Sequence, residues 1–211
     1  MKQKAKWPVI LGVIIIAVIL TAVIAFFYIN SMDWGFAREV PQQEKELRPA
    51  TIECAVKWLG VTSVDGRHKD IIDIYNAHTP LAQNYTVKYT DKWCATFIST
   101  VAIQCRLTRI IPTECGCQRQ IELFKNLGNW EENDDYIPLP GDIIYYSDKG
   151  STSNDNTGWS EHVGIVVGTN GNYIKVMEGN VAGVASFRYI PIGDATIRGY
   201  GLPDYASACS E

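Results

Sequence analysis

The 211-residue sequence predicts an α+β fold, with N-terminal helices packed on a C-terminal antiparallel β-sheet and one transmembrane helix before them. Three features predict it. An uncharged apolar run lies near the start, apolar residues then recur at helical spacing from Thr51 to about Gly128, and short β-rich runs follow from Gly141.

The first run extends from Val9 to Tyr28 without a charge. At about 1.5 Å per helical residue it would rise roughly 30 Å, one crossing of a hydrocarbon core. A transmembrane helix is therefore expected over residues 9–29, with Trp7 at one end and Phe26, Phe27 and Tyr28 at the other at headgroup level. A cleaved secretory signal is the competing reading, but the run is longer than such an apolar region and "FFYINSMD" lacks a small-residue cleavage site. Lys2, Lys4 and Lys6 would hold residues 1–8 in the cytoplasm, placing the remainder outside the cell membrane. Residues 30–50, polar and containing two prolines, read as a stalk. Residues 51–205 then form one domain and 206–211 a tail. The net charge is −4, and the first thirty residues hold three lysines and no acid, which leaves the exterior part at −7. Such a surface is a poor partner for nucleic acid. No Gly-rich phosphate loop, C-x-x-C pair or internal repeat is present.

Within the helical half, "TIECAVKWLG" offers Thr51 as an N-cap and Gly60 as a stop, "HKDIIDIYNAH" sets Ile71, Ile72 and Tyr75 on one side, and "QIELFKNLG" ends in glycine. The later half contains "GDIIYYS", "HVGIVVGT", "NYIKVME", "ASFRYI" and "TIRGYG", rich in β-branched and aromatic residues and separated by turn signals.

Chemistry is expected where these halves meet. In "TDKWCATFIS", Thr90 as N-cap would put Cys94 in the first helical turn, where unpaired N–H groups and the positive end of the macrodipole favour a thiolate and offer donors for an oxyanion. The alternative is a buried core thiol. A base is needed. Of three histidines, His68 and His78 flank an amphipathic helix and read as cap or surface residues, whereas His162 follows a polar loop and opens a strong strand. The strand pair "HVGIVVGTNGNYIKVMEGN" decides what His162 meets. A two-residue turn at Asn170–Gly171 would set it opposite Gly179, with Glu178 on the other face. A three-residue loop, Thr169–Gly171 with Gly171 left-handed, pairs Gly168 with Asn172 and sets His162 directly across from Glu178. The second register is expected, with Cβ atoms about 4.5–5.5 Å apart and Asn180 on the same face.

The blocks "KWCATFIS", "PGDIIYY", "EHVGIVVG" and "MEGN", in that order, resemble the signature of the CHAP domain, the cysteine, histidine-dependent amidohydrolase/peptidase of bacterial cell-wall hydrolases. The resemblance covers roughly Thr51 to Pro203. It implies a papain-like fold and cleavage of amide bonds in peptidoglycan, with Cys94 as nucleophile, His162 as base, Glu178 as orienting acid and Asn180 as the accompanying polar residue. Related NlpC-type peptidases usually carry Asp-Cys-Ser where this chain has Trp93-Cys94-Ala95, which favours the CHAP branch. Trp159, just before His162, is a candidate wall of the substrate groove.

No cofactor is expected. If Cys94 stays free, the other five cysteines cannot all pair; Cys115 and Cys117 are too close for a relaxed bridge, and either could join Cys54 or Cys105. Zinc lacks a ligand set of suitable spacing, and Asp148, Asn154, Asp155 and Asn156 read as a solvated loop in preference to a calcium site. The expected partners are peptidoglycan and the membrane. A catalytically inactive wall-binding or secretion-machine module and a protein-directed cysteine peptidase remain as alternatives.

Overall fold

The switch from helical to alternating apolar period is realised in a computed structural model, which describes residues 7–31, 34–133, 135–147 and 157–208. Helix α1 spans Trp7–Ser31 and forms a unit separate from the domain that begins at Trp34. Among the described residues no helix is long and apolar enough to cross a membrane, so the transmembrane helix expected over 9–29 is corrected and no anchor is assigned.

The domain contains α2 (Glu44–Val56), α3 (His68–Ala77), α4 (Cys94–Gln104), α5 (Cys117–Asn126) and α6 (Tyr205–Ala208). Its strands are β1 (Trp130–Glu131), β2 (Ile143–Tyr146), β3 (His162–Thr169), β4 (Tyr173–Val181), β5 (Val184–Pro191) and β6 (Ile197–Gly201). They form one antiparallel sheet in the order β1-β6-β2-β3-β4-β5. Helix α4 is the axis of the helical layer. Every residue from Cys94 to Ala102 is buried, because α2 and α3 cover it on one side and β3 and β4 on the other. It is therefore apolar almost all round, unlike the amphipathic α3 and α5.

Alternation along the strands gives the sheet two apolar faces. Ile143, Tyr145, Val163, Ile165 and Met177 pack with the helices, while Ile144, Tyr146, Val166, Ile174, Val176, Ile190, Ile197 and Tyr200 form a second cluster. Tyr145 also donates its hydroxyl to Gln120 Oε1 at 2.9 Å, which fastens α5 to β2.

The stalk expected over residues 30–50 is also corrected. Gly35 and Thr169 exchange backbone hydrogen bonds of 3.2 Å, Val40 is buried, and α2 begins at Glu44, so Thr51 lies inside the helix and does not cap it. Arg48 on α2 is buried, donating to Asp142 Oδ1 and to the Pro140 carbonyl, each at 2.9 Å. Tyr136 O–H and Leu139 N–H satisfy the other Asp142 oxygen at 2.7 and 2.8 Å. One arginine of the polar stretch that suggested a solvated linker thus belongs to a buried ionic network.

Candidate active site

Helix α4 starts one turn later than Thr90 capping would require. Asp91 accepts the Lys88 N–H and the Tyr85 hydroxyl, closing the turn ahead of it, and Trp93 stands at the N-cap, so Cys94 is the first helical residue. Its sulfur gains the Ala95 N–H in addition to the end of the dipole.

Helix α5 starts in the same place. Ser99 on α4 both donates to the Glu114 carbonyl at 2.7 Å and accepts the Glu114 N–H at 2.8 Å, fixing the loop that leads into α5. Cys117, first residue of α5, consequently puts its Sγ 3.6 Å from that of Cys94. Two helix N-termini thus converge on a pair of sulfurs. The Cys94 thiol is held well below the ordinary thiol range, first by the S–H that Cys117 donates to it, then, against burial, by His162 and the Ala95 N–H. The Cys117 thiol is pushed well above that range by the same contact and by burial.

His162 comes from the sheet. Ser160 precedes it, with its N–H on Gln118 Oε1 at 3.1 Å and its hydroxyl on the Tyr146 carbonyl at 2.9 Å, so the strand entry is tied to both α5 and β2. The imidazole lies 5.9 Å from the Tyr146 ring in a stacked arrangement, and its Nε2 is 3.0 Å from Glu178 Oε2. Burial works against a charged imidazolium, but the Cys94 sulfur and the Glu178 carboxylate outweigh it and push the ring up to about 9. Both shifts favour a thiolate beside an imidazolium.

The strand register differs from the expected one while keeping both side chains on one face. Thr169 pairs with Ile174 and Gly168 with Lys175, where Gly168 with Asn172 was expected. Carried inward, that register would set Ile165 against Glu178 and turn the carboxylate away from His162. A bulge between Val166 and Gly168 adds one residue to β3, so Gly164 faces Glu178 instead. His162 and Glu178 are diagonal neighbours, not a directly opposed pair. Gly164 makes the diagonal reach possible: a Cβ there would lie 2.4 Å from Val176 Cγ1 and 2.7 Å from Glu178 Cγ. Gly179 does the same for the helix, since a Cβ on it would meet Phe97 Cβ at 2.6 Å.

Glu178 is fully buried and has a second partner that the sequence did not suggest. Arg188 Nε on β5 donates to Oε1 at 2.7 Å, and its guanidinium lies 5.0 Å from the Tyr146 ring. The row His162–Glu178–Arg188 thus runs across three strands, with Tyr146 against both ends.

Cys94, His162 and Arg188 line a cleft of about 290 Å³, bounded also by Lys92, Tyr146 and Asn180 among others. Asn180 borders it from a left-handed position, φ 64°, in the bulge between Glu178 and Val181. Trp159, the expected groove wall, is 68% exposed and does not border this cleft. His68 is buried beside Trp93, its Nε2 2.9 Å from the Tyr89 carbonyl, and not on the surface. Cys117 approaches Cys94, and Cys115 lies against Glu114, so neither joins Cys54 or Cys105. Cys54 and Cys105 instead neighbour each other, burial and that contact pushing the Cys105 thiol up to about 12. The loop holding Asp148, Asn154, Asp155 and Asn156 lies outside the described residues.

Signals for the residues that sequence reasoning missed were faint. Gly164 interrupts an otherwise unbroken β-branched run, which marks close backbone approach, and Cys117 follows a glycine at a helix start. Arg188 carried no local signal.

Residues 84–180 match the family model of the CHAP domain, a domain typical of cysteine, histidine-dependent amidohydrolases and peptidases. The matched segment includes Cys94, His162, Glu178 and Asn180 and stops before Arg188. No curated protein and no solved structure matches the chain.

Proposed function

We propose that this chain hydrolyses an amide bond in peptidoglycan, with Cys94 as nucleophile and His162 as proton carrier. The observation that carries this reading is the meeting of a sulfur at two helix N-termini with a ring held by a buried carboxylate, inside a cleft. The CHAP match points to the substrate class.

The Cys94 thiolate attacks the carbonyl carbon, and the C–O π electrons move to oxygen. First-turn N–H groups of α4, including that of Cys94, stabilise this oxyanion. His162 passes its proton to the departing amine as the C–N bond breaks, leaving a thioester. The neutral ring next takes a proton from water, whose oxygen attacks the thioester, and the carboxylic product leaves as the thiolate is restored. Glu178 keeps the ring in the orientation both transfers need and supports its charge, while Arg188 holds Glu178. Asn180 borders the cleft where the substrate sits. Peptidoglycan lies outside the cell membrane, so this activity puts the domain on that side.

Incubating the full chain with purified peptidoglycan and identifying released fragments by mass spectrometry tests the reading. New amine and carboxyl ends are expected, and Cys94→Ala should lower their release by about 10³-fold or more. Release that persists in the variant overturns the mechanism. Absence of cleavage of either wall or peptide by the intact chain would instead indicate a binding module.

A further inference from the structure

The second sulfur has no step in amide hydrolysis, yet the fold holds it close to the first. Cys94 and Cys117 are 23 residues apart, and the Ser99–Glu114 hydrogen bonds lock the helices that begin with them. We propose that Cys94 and Cys117 form a redox-active dithiol that closes to a disulfide under peroxide and thereby switches the site off.

The geometry is near that of the product. A disulfide requires about 2.05 Å between sulfurs, so the 3.6 Å pair has roughly 1.5 Å to close. Both residues occupy the first position of their helices, where the N–H groups are not yet committed to the helical ladder and a small shift breaks few bonds. Access is asymmetric. Both residues are buried, Cys94 at 4% and Cys117 at 7% exposure, but Cys94 borders the cleft and Cys117 does not. A small oxidant would therefore reach Cys94 first, and Cys117 would stand behind it as the resolving thiol.

The steps balance with hydrogen peroxide as oxidant. The Cys94 thiolate attacks one peroxide oxygen and the O–O bond breaks, giving a sulfenic acid and hydroxide, which leaves as water with the proton of His162. The Cys117 thiol then attacks the Cys94 sulfur; the S–S bond forms, the S–O bond breaks, and the hydroxyl departs as a second water with the thiol proton. The two sulfurs together lose two electrons and the peroxide gains them. An external dithiol reverses the change by thiol–disulfide exchange. The trap protects the nucleophile, because a sulfenic acid without a neighbouring thiol proceeds to the sulfinic and sulfonic acids, which a dithiol does not restore.

The chemistry stands on the two sulfurs and the proton of His162, and only its consequence rests on the proposed hydrolase activity. The reduced full chain is treated with stoichiometric hydrogen peroxide, digested without reductant, and the linked peptides are fragmented to place the bond. A Cys94–Cys117 link is expected, with peptidoglycan cleavage falling at least about tenfold and recovering in dithiothreitol. In a Cys117→Ser variant shown to be folded by circular dichroism, the same treatment should drive Cys94 to sulfinic or sulfonic acid beyond recovery. Oxidation of wild-type Cys94 without the link, or a link from Cys94 to another cysteine, overturns the proposal. If the link forms in a chain that never cleaves wall, the dithiol stands and the hydrolase reading falls. Cleavage that peroxide abolishes without the link leaves the hydrolase standing and overturns the dithiol.

Discussion

His162 depends on two unlike neighbours. Burial alone would lower its proton affinity, so the rise to about 9 belongs to the Cys94 sulfur and to Glu178. A group whose folded pKa exceeds its ordinary value of 6.5 adds stability that is complete below that value and fades as pH rises through about 9. The same window bounds the imidazolium on its alkaline side. Glu178→Gln keeps the shape but removes the charge, so the ring should titrate at least about one unit lower. Wall cleavage should fall about 10²-fold, its alkaline limb moving toward neutrality. Histidine NMR titration and a pH–rate profile read these two effects separately. An unmoved titration would mean that the sulfur alone holds the proton. Arg188 acts one step further out, by holding Glu178, and it was not legible because nothing in the sequence marks which strand supplies the second partner of a buried carboxylate.

Among the elements, the strand pair β3–β4 carries the largest consequence from the smallest feature. Periodicity revealed both strands and the choice between two faces, and the left-handed Gly171 at the turn was legible as well, its φ being 92°. The bulge at residue 167 was not, since one extra residue in a strand costs a little twist and leaves no compositional mark. Gly164 completes the device by letting the Glu178 side chain cross the neighbouring strand. Gly164→Ala should therefore separate stability from chemistry. The added methyl pushes on Val176 and Glu178, at a cost of about 1–3 kcal/mol, which leaves a folded chain. Wall cleavage should drop by about tenfold or more, because the displaced carboxylate no longer meets the imidazole. Thermal melting together with kcat/KM checks both parts; a destabilised variant with full activity would show that Glu178 need not take the path over residue 164. Helix α4 was legible to a similar degree: its position was readable from "WCATFIS", but its start moved from Thr90 to Cys94 because Asp91 commits its carboxylate to a turn.

At the scale of the whole molecule, the domain is held together from outside its matched segment. Residues 84–180 contain the sulfur, the ring and the carboxylate, yet α2, α3, β5 and β6 all lie beyond those limits. Arg48 is the sharpest case. It joins α2 to the turn before β2, lies 4.5 Å from the Tyr205 ring of α6, and balances the charge of Asp142, which is 1% exposed. Composition hid this, because an arginine in a polar stretch reads as solvated until its buried partner is known. Burial already pushes the Asp142 carboxyl up despite Arg48, and removing the guanidinium would push it further. Arg48→Ala should thus cost about 3–5 kcal/mol at neutral pH, the penalty of a buried charge left without its partner. The loss should shrink as pH falls toward the ordinary carboxylate range, where the unfolded chain also binds the proton and no longer gains by ionising. Urea unfolding of the full chain at pH 7 and near pH 4.5 measures the difference, and Asp142→Asn in the Arg48→Ala background should recover part of it at pH 7 only. Equal losses at both values would show that lost packing of the Arg48 stem, not the orphaned carboxylate, sets the penalty.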